Sequence, residues 1–471
     1  MIATNLRGIK MGDFCLNDLE YWNEKIENIV KECGLDFYPQ EFEIINYEDM
    51  IGYETYVGMP SHYPHWSFGK AYERTKTLHK YNLTGLPYEM VINSNPCIAY
   101  LMKDNTLLLQ ILTISHVYAH NDFFKNNRLF KEGTNANYAI EMFKNHADRI
   151  REYIKDPSIG YKKVERILNA AHAIKYQTER VMDFRKNKSE DKKDISAIYD
   201  NRKEYPYLQR YEDINKSDAE DFVTQDKIDD AQRNDILLFI VENGRLQQWE
   251  KDILSIVREE ARYFIPQIET KIMNEGWASF WHYTLLNKLE LPQDMHFEFL
   301  RRHNEVIRPL KSSINPYYIG FKIFEDIYNR EGANAIFKIR ELERDQSFIR
   351  RYLTQPLCNE MNLFEYISAG NEYMISEVSD DSGWIKIRDT LANTVGIGSI
   401  PVIKVQDWLH KEGTMLLAHE FDGRELELSY TYETLKHIVE LWGGKVTIAT
   451  LLDGKKKIIT CDESKRISLF G

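Results

Sequence analysis

No stretch of the 471 residues approaches eighteen consecutive apolar side chains, so the sequence predicts no transmembrane helix. The opening segment MIATNLRGIKMGDF lacks the apolar run of a secretory signal, and a cytoplasmic location is expected. Basic residues are in deficit: 61 Lys and Arg stand against 73 Asp and Glu, a formal charge of −12. That balance argues against a nucleic-acid binder and against insertion into or adhesion to an anionic membrane, since such binders need a basic surface. Cysteine is scarce and odd in number. Cys15, Cys33, Cys97, Cys358 and Cys461 are scattered without a CxxC pair, which predicts reduced thiols and no cysteine zinc site. GxxxxGK[ST], GxGxxG and GxSxG are also missing, and with them the common nucleotide and serine-hydrolase signatures.

What is present is ordinary globular material, 43% apolar and 28% charged, with 13% aromatic residues that fit large packed cores or aromatic-lined clefts. Apolar spacing predicts a helix over 16–33, stopped by Gly34, and another over about 68–80. Residues 88–102 read as a strand pair broken at Asn93–Pro96, followed by a long apolar helix over about 105–124. Asp156–Pro157, Pro266 and Asn315–Pro316 read as helix starts, because proline suits the first helical turn. Residues 183–231 are charged and poor in apolar side chains, which predicts an exposed insertion or linker. From about 370 the segments WIKIRD, TMLLAHEF, ELELSYTYE, KVTIATLL and KKIITCDE alternate or are β-branched between turns. The expected domains are therefore an N-terminal α+β region (1–182), the insertion (183–231), a helical region (232–368) and a small α+β domain (369–471).

Two helices carry polar residues on the faces that should be buried. Leu109, Leu112, His116, His120 and Phe123 fall at spacings of three and four, so both imidazoles sit on one apolar face. Histidines at i and i+4 can ligate one metal. In the second helix Ile268, Ile272, Glu275, Ser279, His282, Leu286 and Leu289 follow the same rhythm, which embeds Glu275, Ser279 and His282 in the core face. A buried carboxylate must pair, bind a metal or take up a proton. The two helices can share one metal through His116, His120 and Glu275, a His₂Glu set that leaves a position open. Equally, the imidazoles can be core residues bonded to carbonyls and Glu275 can pair with an arginine. Zincin helices read HExxH with the Glu as general base. Here Val117 stands at that position and cannot move a proton, which leaves Asp122 and His282 as candidates for proton transfer.

PSHYPHWSFGK offers His62, His65, Trp66 and Lys70 as pocket residues, or simply a rigid aromatic loop. Tyr317, at a helix start, is a further pocket candidate or a packing anchor.

The segments GLDFYPQEFEIINYEDMIGYETYVGMPSHYPHWSFGK, GLPYEMVINSNPCIAYLM, HVYAHNDFFKNN, MNEGWASFWH and INPYYIGFKIFEDI together closely resemble the stage V sporulation protein R family, over essentially the whole chain. The resemblance implies a cytoplasmic bacterial protein required for the spore cortex, a peptidoglycan layer. It also implies a more general molecular activity, because relatives occur in bacteria that make no spores. EGWASF at 275–280 is similar to the EGWA segment of gluzincin-type metallopeptidases, in which that Glu is the third zinc ligand. Paired with HVYAH at 116–120, it gives the ligand order His, His, Glu. Two departures are Val117 and the roughly 155 residues between His120 and Glu275.

The expected fold is mainly α with a short, gluzincin-like sheet and a small C-terminal α+β domain. The expected function is a metal-dependent hydrolase holding zinc or another divalent metal. The alternative is a catalytically inactive metallopeptidase-like scaffold that regulates protein partners by binding.

Overall fold

The computed structural model describes residues 10–11, 14–81, 89–178, 228, 230–310, 313–369, 372–409 and 412–470. Nearly all of the charged stretch expected at 183–231 lies outside these residues, as does Tyr88. The first part of the chain holds β1 (Lys10–Met11), β2 (Phe14–Cys15), α1 (Leu16–Glu32), β3 (Gln40–Ile45), α2 (Tyr47–Thr55), α3 (Trp66–Lys80), β4 (Glu89–Ile92) and β5 (Cys97–Met102). Then follow α4 (Leu107–Asn126), α5 (Arg128–Gly133), α6 (Ala139–Lys155) and α7 (Tyr161–Ile174). Past residue 228 come α8 (Asp230–Arg233), α9 (Ile236–Asn243), α10 (Gln248–Glu269), α11 (Lys271–Lys288), α12 (Gln293–Val306), α13 (Pro316–Glu331), α14 (Ala333–Leu342), α15 (Asp345–Tyr352) and α16 (Gln355–Glu360). The last stretch holds β6 (Glu365–Ala369), β7 (Glu372–Glu377), α17 (Gly383–Thr394), β8 (Val402–Leu409), β9 (Thr414–Glu420), α18 (Leu428–Trp442), β10 (Val446–Leu452), β11 (Lys455–Cys461) and β12 (Ile467–Phe470). The described residues are thus mainly helical, with small sheets and a β-rich C-terminal part.

Two compact units divide the chain, and each is built from two stretches: 1–176 with 247–401, and 177–246 with 402–471. The hairpin β6–β7 and α17 fall in the first unit, so its boundary lies at 401/402, beyond the 368/369 that the sequence pattern suggests.

In the first unit, β3, β5 and β4 form a three-stranded sheet with β5 in the middle, parallel to β3 and antiparallel to β4. The centre is α4, capped by the Thr106 hydroxyl, which accepts from the Leu109 N–H at 3.3 Å. Every residue of α4 from Leu108 to Phe124 is buried, so the helix is enclosed on all sides rather than along one stripe. Its polar side chains must then find partners inside. Gln110 donates to the Met102 carbonyl, and Asn121 donates to the Tyr38 carbonyl and to Gln40, tying α4 to the sheet.

Helix α11 packs against both α4 and α13. Contact with α13 is closest at Gly276 and Gly320: a Cβ on Gly276 would stand 2.3 Å from the Gly320 Cα. Thr270 gives α11 no side-chain cap. The cap comes instead from α15, where the Asp345 carboxylate accepts from the N–H groups of Ile272 and Met273 at 2.8 and 2.9 Å.

The second unit has a five-stranded sheet in the order β12-β11-β10-β9-β8. Strands β9 and β10 are parallel and are connected through α18, while the other pairs are antiparallel. Phe239 of α9 stacks on Trp442 at 5.6 Å and meets Trp408 edge-on at 6.2 Å.

Several elements differ from the sequence expectation. Pro266 does not open a helix: it lies inside α10, which runs on to Glu269, and the break comes at Thr270. Pro157 sits in a turn, and α7 starts at Tyr161 after Gly160, whose φ of 77° suits glycine. WIKIRD belongs to helix α17, which buries Ile387, Leu391 and Ala392 at helical spacing. ELELSYTYE runs into helix α18, where the Glu427 carboxylate accepts from the N–H groups of Ser429 and Tyr430 and caps the start. In both segments the alternating pattern also fits a helix, and the buried positions and the cap decide between them.

Candidate metal centre

The i, i+4 spacing along α4 places Leu112, His116, His120 and Phe124 along one line, and this line borders a cavity of about 1140 Å³ in the first unit. Glu275 and Asn274 reach the same cavity from the start of α11, and Glu89 reaches it from β4. The sequence-derived trio therefore comes together. His120 Nε2 lies 3.5 Å from Glu275 Oε2, and His116 Nε2 lies 3.8 Å from the same oxygen. Glu89 Oε1, which sequence spacing gives no reason to expect, is also 3.8 Å from His116 Nε2. Ligand atoms of Glu89, His116 and His120 all lie within 4.8 Å of one another, a group of donors that can hold a metal ion.

Behind the front atoms, each imidazole is oriented by a second partner. His120 Nδ1 is 2.9 Å from Asn274 Oδ1, an acceptor, so its proton belongs on Nδ1 and Nε2 is left bare. His116 Nδ1 is 2.9 Å from His282 Nδ1, and His282 Nε2 is 2.8 Å from His303 Nδ1 of α12. If His116 offers Nε2 as a lone pair, it donates from Nδ1 to His282, and His282 donates from Nε2 to His303. In that state each of the three rings has one tautomer.

Electrostatics follow from burial. Burial, with the nearby His116, pushes His120 down to about 4, so it is neutral near pH 7. His303 is likewise held at about 4 by burial, and burial takes His282 well below the ordinary imidazole range. The two glutamates differ. Burial raises Glu89, and the neighbouring Glu275 adds to it, against the pull of His116. Burial also pushes Glu275 up, but His116, His120 and Lys271 outweigh it and hold the carboxyl below its usual value. Two buried polar atoms, His116 Nε2 and Glu275 Oε2, have no hydrogen-bond partner, and both face the space between the donors. Leaving such atoms unpaired inside a protein is costly, and a cation between them satisfies both.

Of the two residues considered for proton transfer, neither borders the cavity. Asp122 points the other way on α4. Its carboxylate accepts from the Asp36 N–H and from Trp277 Nε1, both at 2.9 Å, and pairs with Arg340 at 3.3 Å. Burial still holds it up at about 6. His282 reaches the centre only through His116, so it positions that imidazole and does not border the cavity. Val117 is fully buried in the apolar core.

From the PSHYPHWSFGK segment, His62 borders the cavity and Tyr317 does so from α13, with its ring 6.1 Å from that of His116. His65, Trp66 and Lys70 do not: His65 and Trp66 both bond Asn169 Oδ1, and Lys70 lies over the half-exposed Trp66 ring. Residues that the sequence did not single out are Glu89, Asn274 and His303 at the centre, and His172 and Glu260 on the far wall. Among the described residues, no helix is long and apolar enough to cross a membrane.

No solved structure gives a significant match to the chain. A curated relative, the "Uncharacterized protein YcgB" of Escherichia coli (strain K12), is 33% identical over 479 residues, covering 93% of this chain and 92% of the relative. A family model described as "SpoVR like protein" matches residues 13–400, and one described as "SpoVR-like C-terminal domain" matches 401–453, so their border falls one residue before the 401/402 break between the compact units, while the first model also takes in residues 177–246 of the second unit. With nearly all of the chain covered in this way, the protein belongs to the SpoVR family.

Proposed function

We propose that the protein is a cytoplasmic, metal-dependent hydrolase of gluzincin type that acts in building the spore cortex. The single observation that carries this reading is the pair of orphaned buried atoms, His116 Nε2 and Glu275 Oε2, in a group of converging His and Glu side chains. His116, His120 and Glu275 would hold the ion, zinc or another divalent metal, since two bare imidazole nitrogens and an ionised carboxylate form a donor set that suits it. When bound, such an ion supplies Lewis acidity toward a carbonyl oxygen.

Glu89 takes the role that Val117 cannot fill. A ligand carboxylate must be ionised, and Glu275 is the glutamate whose surroundings favour the charge. Burial and the neighbouring Glu275 push the Glu89 carboxyl upward, which makes it the better proton acceptor of the two glutamates, so it can take up a proton beside the centre and pass it on. His282 and His303 keep His116 in the tautomer that presents Nε2, and Asn274 does the same for His120. The sporulation assignment rests on the family and on the resemblance of the motifs, and the reaction class rests on the site.

The test is metal content of the purified, tag-free chain by inductively coupled plasma mass spectrometry. Wild type is expected to carry near-stoichiometric metal, His116→Ala and Glu275→Ala to lose it, and Glu89→Gln to keep it. A folded wild type that carries no metal without chelator treatment refutes the reading, and loss of metal in Glu89→Gln moves Glu89 from proton carrier to ligand.

Val117 favours one other reading, a catalytically silent metallopeptidase-like scaffold that regulates protein partners by binding. In that case the metal is retained but Glu89→Gln changes no turnover of any substrate.

A further inference from the structure

The wall of the cavity away from the metal centre carries a second buried polar cluster. It draws on the 62–65 loop, α6, α7 and α10. His62 Nδ1 accepts from the Tyr63 N–H at 3.0 Å, and its Nε2 pairs with Glu260 Oε2 at 3.2 Å. His146 Nδ1 holds Glu260 Oε1 at 3.2 Å, and its Nε2 pairs with Glu259 Oε2 at 3.2 Å. His65 Nδ1 bonds the Ser67 hydroxyl at 2.7 Å, and its Nε2 bonds Asn169 Oδ1 at 3.1 Å. His172 Nε2 bonds the Tyr63 hydroxyl at 2.7 Å. Four imidazoles thus use seven of their eight ring nitrogens. The exception is His172 Nδ1, which has no partner among the described residues although its ring borders the cavity.

A closed polar network with one open terminus on a cavity marks where a ligand group completes it. Lys175 lies three residues on, on the same face of the chain, and also borders the cavity. Its ammonium rests 5.0 Å from the Tyr176 ring centroid and has no salt-bridge partner among the described residues. We propose that His172 and Lys175 form an anchoring subsite for a carboxylate of the substrate, with the Tyr63 hydroxyl donating to Nε2 so that Nδ1–H donates to the ligand. An ammonium and an imidazole N–H side by side give a carboxylate two donors, one of them charged. Burial and the nearby Lys175 hold His172 well below the usual imidazole range, so the ring stays neutral and Lys175 supplies the charge of the pair. A volume of about 1140 Å³ exceeds the roughly 300–1,000 Å³ of small-molecule pockets, which leaves room for an oligomeric substrate held at both ends.

This subsite deepens the hydrolase reading and rests on it for the word substrate, but its binding chemistry is testable alone. Tetra-alanine with a free C-terminal carboxylate and tetra-alanine C-terminal amide are titrated into the full chain by calorimetry. Wild type is expected to bind the acid at least ten-fold more tightly than the amide, and His172→Phe and Lys175→Met to bring that ratio close to one. Lys175 is partly exposed, so its variant keeps the test sound if His172→Phe fails to fold. Equal affinities in wild type, no binding of either peptide, or an unchanged ratio in folded Lys175→Met overturns the proposal. His116→Ala is expected to keep the preference for the acid, and metal content measured on the titrated wild type separates the two readings. A metal-free wild type that still prefers the acid refutes the metal centre alone, and a metal-loaded wild type without preference refutes the subsite alone.

Discussion

His116 and His282 meet Nδ1 to Nδ1, 2.9 Å apart, in the interface between α4 and α11. Two neutral imidazoles can share that contact only if one donates and the other accepts, so the choice at His116 is passed on to His282 and, through its Nε2, to His303. Replacing His303 removes the final acceptor without touching the cavity. His303→Phe is expected to weaken metal binding 10–100-fold, the range for partners of metal-bound histidines, with the fold retained. Competition with a chromogenic chelator measures it. Unchanged affinity means that His116 is oriented by packing alone.

The second prediction concerns the crossing of α11 and α13. A Cβ on Gly320 would lie 2.2 Å from the Ile272 carbonyl oxygen and 2.6 Å from the Gly276 Cα, and backbone cannot step aside as a side-chain end can. Gly320→Ala is expected to destabilise the first unit by about 1–3 kcal/mol, as overpacking does, and to lower metal content because α11 carries Glu275. Urea unfolding and metal analysis on the same preparation check both. A variant with the wild-type urea midpoint shows that the helices can separate freely.

Asp345 supplies the third prediction, on pH. Burial raises its carboxyl to about 8 even though two backbone N–H groups favour the charge. In the unfolded chain an aspartate titrates near ~3.9. Between these values the folded protein holds a proton that the unfolded chain releases, so this group's contribution to stability falls as pH rises from about 4 to about 8 and is level above. Asp345→Asn cannot titrate. The stability difference between wild type and variant should therefore move against wild type from pH 5 to 8 and stay constant from 8 to 9.5. A difference that is flat from 5 to 8 means that the carboxylate is already ionised in the fold.

The sequence made the centre legible where chemistry coincides with helical rhythm. His116 and His120 four apart, and Glu275 within an apolar stripe, are polar residues where the period demands apolar ones, and the fold brings them within 3.8 Å. Glu89 gave no such signal, because a carboxylate opening a four-residue strand looks like an exposed one until β4 pairs with β5. His303 and His172 were silent for the same reason: each acquires its meaning from a residue on another element, His282 and Tyr63. Asp122 was misleading. It stands next to the centre in sequence, but two positions past His120 on a helix is a different face, and its carboxylate goes to Trp277 and Arg340. In the C-terminal part, the short alternating runs at 384–389 and 425–433 suited strand and helix alike, and only packing and the Glu427 cap separate them.

Helix α11 alone bears Asn274, Glu275 and His282, which serve His120, both cavity imidazoles and His116 respectively. These three attachments ride on one stiff rod whose start is fixed by Asp345 and whose flank is locked at Gly276. A movement of the rod therefore acts on all three contacts at once. A slide of the rod by a single turn, about 5.4 Å, would strip a glutamate, an amide and an imidazole from their places together. The geometry of all three attachments is therefore set by one element, and what holds either end of that rod holds them together.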